Sequence, residues 1–286
     1  MKIGDIVVRK SYGKDITFKI IDVREKNGKE SIILKGINIR IIADSTLDDL
    51  ELAKEDSGST DKILNTRVNE AIKKAINIRG ELRDKTDKSA KIKNKDELIF
   101  GRPGKILHID GDSEYMETCL KVYKQLYLDA VGKSIPESEQ PDVIVDLVKE
   151  IKPDIVVLTG HDSVVKDPKD YLDLNNYRNS KYYLESVKNL RNYNSSYDEL
   201  VIFAGACQSC YERILDVGAN FASSPNRVLI HCLDPVFVCE KIAYTRIDKV
   251  VSITDVIENT ITGIKGVGGL QTRGKYREGY PKSPYI

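Results

Sequence analysis

Two stretches of the chain carry side chains able to do covalent chemistry. They are Leu158-Thr159-Gly160-His161-Asp162 and Phe203-Ala204-Gly205-Ala206-Cys207-Gln208-Ser209. Each closes an apolar run with small residues and then presents a titratable group. An imidazole facing a thiol can take its proton, and later give a proton to a leaving amine. Ser209 and Glu212 have the spacing of a capping box before the apolar-periodic stretch Tyr211 to Val217. That would place Cys207 just ahead of a helix N-terminus, whose positive end favours the thiolate. Backbone N–H groups at such an elbow suit a developing oxyanion, each worth roughly 3 kcal/mol. Cys207 and Cys210 also form a Cys-x-x-Cys pair, so a thiol-redox protein is an alternative reading. Zinc would need two further ligands. His108, His161, His231, Cys119, Cys232 and Cys239 form no second paired motif, so no metal and no cofactor are expected.

The elements around these stretches must hold them at one edge. Apolar runs at Lys105–Ile109, Leu128–Val131, Asp154–Leu158, Leu200–Ala204 and Arg227–Cys232 alternate with helical patterns at 114–126, 141–151, 178–192 and 210–217. This alternation predicts an α/β domain over 99–286, a mostly parallel sheet flanked by helices. Sites in such sheets gather at the carboxyl ends of the strands, where His161 and Cys207 both fall. Residues 1–55 instead show four or five short runs, among them Ile6–Val8, Ile16–Ile21, Ser31–Leu34 and Ile39–Ile42. Turn signals at Tyr12–Asp15 and Lys26-Asn27-Gly28-Lys29 separate them, which predicts a small SH3-like β-barrel. The segment 56–98 reads as a flexible start at Asp56–Thr60, a helix through Leu64, Val68, Ala71, Ile72 and Ala75, and a mobile Lys-rich linker over Asp84–Asp96.

The bulk numbers exclude several classes. Lys plus Arg number 45 against 44 Asp plus Glu, so charge gives no reason to expect nucleic acid or an anionic membrane as partner. No apolar run approaches the roughly 18 residues of a membrane span. The N-terminus lacks a signal-peptide core, so secretion by that route is not expected. Five cysteines make no disulfide framework and point to a reducing, cytoplasmic compartment. The Gly-rich stretch Gly263–Gly269 lacks the ending of a phosphate loop and is expected as a loop near the site. Arg273, Lys275, Arg277 and Lys282 read as a solvated basic face.

A hydrophobic strand ending in a His turn, followed by one ending in Ala-Cys, is similar to the caspase, legumain, clostripain and gingipain clan. Residues 1–54 and 100–286 more closely resemble the YabG family of sporulation-specific cysteine peptidases. The resemblance rests on Gly4–Tyr12, Pro103–Asp112, Thr159–Asp162, Val201–Ser209, Gly218–Pro225 and Gly268–Gly274. It implies a caspase-like fold, with His161 as general base and Cys207 as nucleophile. It also implies spore coat and cortex-associated proteins as substrates, cleavage after Arg, and a place in the sporulating mother cell or the spore coat. The wider clan has Gly after its histidine; here Asp162 follows, so the N–H groups of Asp162 and Cys207 are the implied oxyanion donors.

An arginine pocket needs a carboxylate at its base. Asp110 is the first candidate and Asp234 the second. Asp162 stands beside the dyad, and Asp112 is expected to cap the next helix. Self-cleavage is expected at Arg79, Arg83 or Arg102. A non-catalytic binding scaffold is the remaining alternative.

Overall fold

The computed structural model describes residues 1–26, 29–54, 58–89, 99–283 and 285. The turn expected at Asn27-Gly28, the start at Asp56-Ser57 and the linker from 90 to 96 lie outside them.

The N-terminal strands β1 (Ile6–Arg9), β2 (Thr17–Lys26), β3 (Lys29–Gly36), β4 (Ile42–Ser45) and β5 (Leu50–Leu52) form one antiparallel sheet in the order β4-β3-β2-β1-β5. A bulge between Ile20 and Asp22 increases its twist. Alternate residues Val7, Phe18, Ile20, Ile32, Leu34 and Leu50 form its core. The expected strand Ile39–Ile42 is only partly realised. Pairing with β3 begins at Ile42, and Ile37–Ile41 leave the sheet as a loop towards the second domain. Helix α1 (Ser59–Ser89) runs through Gly80, past the point where a mobile linker was expected. Its apolar residues Leu64, Val68, Ala71, Ile72 and Ala75 pack on the core of the second domain, and that contact outweighs the weak propensity of a Gly in mid-helix.

The second domain opens with β6 (Phe100–Arg102). It continues through β7 (Ile106–Asp110), α2 (Ser113–Gln125), β8 (Ala130–Ser134), α3 (Gln140–Ile151), β9 (Ile155–Thr159) and α4 (Ser180–Tyr193). Next come β10 (Val201–Ala204), α5 (Tyr211–Asp216), β11 (Phe221–Ser223), α6 (Asp234–Tyr244), β12 (Val250–Val251) and α7 (Ile253–Asn259). The chain ends with β13 (Val267–Gly269), β14 (Thr272–Arg273) and β15 (Arg277–Gly279). The main sheet has six strands in the order β13-β11-β10-β9-β7-β8, parallel except for β13.

The period of two along each strand feeds two cores at once. Ile155, Val157, Val201 and Phe203 point to one face, under α2, α6 and α7; Val156, Leu158, Ile202 and Ala204 point to the other, under α3, α4 and α5. Each fully buried aliphatic side chain of this kind contributes about 1.5–3 kcal/mol.

Three sequence expectations are corrected here. The fifth parallel strand is Phe221–Ser223, not Arg227–Cys232. Residues 227–232 form no strand: Arg227 is left-handed at φ 53° and His231 makes a single bridge to Ile39. Part of the Gly-rich stretch is strand β13 rather than loop. Lys275 is no solvated residue: it is buried and its ammonium donates to the carbonyls of Asp198 and Glu199.

Candidate active site

The register of the central strands sets the two strand tips that carry His161 and Cys207 side by side. Leu158 on β9 pairs with Ala204 on β10. His161 and Cys207 each lie three residues beyond that pair, on neighbouring parallel strands.

His161 is held from two sides. Its ring Nε2 lies 3.0 Å from Oδ2 of Asp112, and its backbone N–H donates to Oε1 of Glu137 at 2.6 Å. Glu137 reaches across Gly160 to do so. A Cβ at that position would stand 2.2 Å from the carboxylate oxygen, which accounts for the glycine before the histidine. Asp112 does two jobs. Oδ1 caps α2 by accepting from the N–H groups of Glu114 and Tyr115, as expected, and also accepts from Lys35 Nζ at 2.6 Å. Oδ2 serves the imidazole. Burial opposes ionisation of Asp112, but the hydrogen bonds from His161 and Lys35 hold the carboxyl well below its usual range. A carboxylate on Nε2 fixes the tautomer with hydrogen there, and so makes Nδ1 the basic nitrogen.

Cys207 is 1% exposed. Its sulfur accepts from the Ile230 N–H at 3.2 Å. Burial pushes the thiol up to about 12, with the Ile230 hydrogen bond and the Arg40 charge pulling the other way. The expected capping box is absent. Ser209 Oγ accepts from Ala206 N–H and donates to Asp162, while Cys210 occupies the cap position without a side-chain bond. Helix α5 is short and starts at Tyr211, too far on to lower the thiol pKa against complete burial. Gln208, next to the thiol, has φ 58°, a left-handed conformation that a non-glycine residue adopts only when its surroundings impose it.

The side chain of Asp162 braces the two tips. Oδ1 accepts from Ser163 and Asn179 N–H; Oδ2 accepts from the hydroxyls of Ser180 and Ser209 at 2.5 and 2.9 Å. Among the described residues, the backbone N–H groups of Asp162 and Cys207 donate no hydrogen bond within the chain. The Cys-x-x-Cys thiols face different partners: Cys210 Sγ approaches the Tyr171 carbonyl, Cys207 Sγ the Ile230 backbone.

The two acidic candidates differ. Asp110 is fully buried at the tip of β7 and forms an ion pair with Arg40 at 2.5 Å. It also accepts from the Thr159 hydroxyl at 2.8 Å. Asp234 is equally buried at the start of α6. It accepts from Ile261 N–H, Thr262 N–H, His231 N–H and the Thr262 hydroxyl, so local backbone occupies its lone pairs.

Sequence reasoning gave Asp112 only its capping role, and it missed Glu137 and Arg40. The signal for Asp112 was its place just past β7, the strand next to the one that carries His161.

The model of the YabG peptidase family U57 matches residues 2–281. The sporulation-specific protease YabG of Bacillus subtilis (strain 168) is 42% identical over 286 residues, covering 98% of each chain.

Proposed function

The chain belongs to the YabG peptidase family, and from that premise we propose that it is a sporulation-associated cysteine endopeptidase cleaving after arginine. Cys207 is the nucleophile, His161 the general base and Asp110 the base of the arginine pocket. The observation that carries this reading is the matched position of His161 and Cys207 on adjacent strand tips, with Asp112 bonded to Nε2 of the ring.

The chemistry follows from that arrangement. Nδ1 of His161 accepts the Cys207 proton, and the thiolate attacks the carbonyl carbon after the substrate arginine. The N–H groups of Asp162 and Cys207 stabilise the resulting oxyanion. The imidazolium, steadied by Asp112, returns its proton to the leaving amine. Water, deprotonated by the same imidazole, then cleaves the thioester and regenerates the thiol. The substrates proposed are spore coat and cortex-associated proteins, met in the mother cell or the coat. The relative's name supports the sporulation setting. Among the described residues no helix is long and apolar enough to cross a membrane. Self-cleavage would have to unwind α1 at Arg79 or Arg83, or strip β6 from β15 at Arg102.

The test is a mixed peptide library incubated with wild type and with Cys207→Ala. Mass spectrometry is expected to find new C-terminal arginines with the wild type alone. Cleavage by the alanine variant would remove Cys207 from the role. Cuts after residues other than arginine would remove Asp110 from its role.

A further inference from the structure

The arginine pocket already holds an arginine of the same chain. The loop between β3 and β4 leaves the N-terminal sheet and lays Asn38-Ile39-Arg40 against Ile230-His231-Cys232. Cys232 N–H donates to the Asn38 carbonyl at 3.0 Å, Arg40 N–H donates to the Ile230 carbonyl at 3.3 Å, and Ile39 and His231 are antiparallel bridge partners. This is a single antiparallel bridge, the pairing unit by which an extended peptide adds as a strand, a common mode of peptide recognition. The segment it joins also holds the thiol, through Ile230 N–H to Cys207 Sγ.

The side chain continues the likeness to a bound substrate. Arg40 is 1% exposed. Its guanidinium meets Asp110 at 2.5 Å and the carbonyls of Gly160 and Cys232 at 3.5 and 3.4 Å, and it lies 5.0 Å from the centre of the Tyr115 ring. Gly160 belongs to the His161 turn and Cys232 to the docking edge, so the pocket is built from the site's own parts. Its Nε is buried without a partner, so the pocket satisfies this occupant incompletely.

We propose that Asn38–Arg40 is a tethered substrate mimic, which fills the arginine pocket and keeps the peptidase latent until a peptide displaces it or the N-terminal domain withdraws. The proposal rests on the peptidase reading above. Beyond Arg40 the chain does not run on as an extended substrate. Ile41 N–H folds back to the Ile39 carbonyl at 2.8 Å, and the Ile41 carbonyl accepts from Gly36 N–H at 2.9 Å, which draws the chain back to its own sheet. Further contacts fasten the domain. Lys19 pairs with Glu114, Lys35 with Glu114 and Asp112, and the Tyr115 hydroxyl lies 2.5 Å from the Gly36 carbonyl. Lys35 thus grips the carboxylate that orients His161, so docking touches both the pocket and the base. A tethered segment competes at roughly millimolar effective concentration, which a free peptide must exceed in affinity or amount.

The test uses the full chain and agmatine, a guanidinium on a short alkyl stem. In a Cys207→Ala background, adding Arg40→Ala is expected to create saturable agmatine binding by calorimetry and a raised melting temperature. The Arg40-containing parent is expected to bind none, and a further Asp110→Asn should abolish the binding. With Cys207 restored, Arg40→Ala is expected to lower KM for a peptidyl-arginine amide by about 10-fold or more. Should Arg40→Ala fold poorly, agmatine is expected to restore its cooperative transition. Arg40→Lys, which leaves a cation beside Asp110, should show the same changes to a smaller extent. A folded Arg40 variant with neither agmatine binding nor a lower KM overturns the proposal. Agmatine binding by the variant, with no cleavage by any form, would uphold the occupied pocket and sink the cysteine-peptidase reading instead.

Discussion

Asp110 and Asp234 are both fully buried and each accepts from a threonine hydroxyl and from backbone N–H, yet only Asp110 also faces a cation, Arg40. Asp234 is served by hydroxyl and N–H groups within its own neighbourhood, and burial pushes its carboxyl up despite the Thr262 hydroxyl and the three N–H groups. Asp110 also suffers burial, but the Arg40 charge holds its carboxyl below the usual range. A carboxylate wrapped by local neutral donors alone has no cation to exchange. One whose charge is balanced by a cation from another domain is the one that the proposal above makes a receptor, with a like group entering where the partner leaves. The difference separates two acidic residues that the sequence reading ranked first and second.

The largest expected effect tests that separation directly. In an Arg40→Ala background, Asp110→Asn is expected to lower kcat/KM for peptidyl-arginine substrates on the order of 10^3-fold, the cost of removing one partner of a buried, hydrogen-bonded charge pair. Asp234→Asn should leave the preference for arginine over other residues intact. Equal losses of preference in both variants would erase the distinction.

Stability gives the next test. In the otherwise unaltered chain, Asp110→Asn strands the Arg40 charge and is expected to cost about 3–5 kcal/mol in denaturant unfolding. Replacing both partners by apolar residues should return much of that loss. If the double replacement is no more stable than Asp110→Asn alone, Arg40 does not depend on Asp110 for its burial.

The contrast also explains what sequence could tell and what it could not. Strand–helix alternation is a local pattern, so four of the six main-sheet strands, β7 to β10, overlapped predicted apolar runs, and His161 and Cys207 fell at strand ends by simple reading. The strand Phe221–Ser223 was hidden because three residues give too short a period, while the longer apolar run Arg227–Cys232 drew the assignment. Ile39-Arg40-Ile41 looked like barrel strand because apolar–polar alternation suits any extended chain, including one bridged to another domain's loop. Arg40 pairs with a residue 70 positions away, and nothing in local spacing announces such a contact. For Asp112 the capping role was legible, because caps are local; its bond to His161, 49 positions on, was not.

Asp112 offers a third carboxylate to compare, one that meets His161 rather than Arg40. Asp112→Asn retains a good N-cap but loses the anionic acceptor for Nε2. It is expected to lower kcat by roughly 10–100-fold with little change in KM, as a positioning partner should. A change confined to KM would assign Asp112 to substrate binding or to Lys35 docking instead.

The smallest effects concern acid, and they again set Asp110 and Asp234 side by side, because each has a buried imidazole nearby. His108 bonds Tyr123 through Nδ1 and Thr159 through Nε2, and Thr159 bonds Asp110. His231 accepts from Leu233 N–H through Nδ1, and its backbone N–H donates to Asp234. Burial lowers His108 to about 3, with Asp110 opposing and Arg40 assisting. Burial lowers His231 to about 4, with Arg40 assisting. Unfolded, each imidazole takes a proton near pH 6.5. Below that pH the unfolded chain binds protons that the native one refuses, so stability falls with acid, by up to roughly 1.4 kcal/mol per pH unit for each group. The loss continues to about pH 4 for His231 and about pH 3 for His108. Thermal melts of wild type should therefore show melting temperature declining from pH 6.5 downwards, and His231→Gln should flatten the slope between pH 6.5 and 4. Arg40→Ala should flatten it too, since its charge helps to keep both imidazoles neutral, whereas Asp234→Asn should not. An acid slope untouched by Arg40→Ala would mean that the cation exerts no field on these imidazoles.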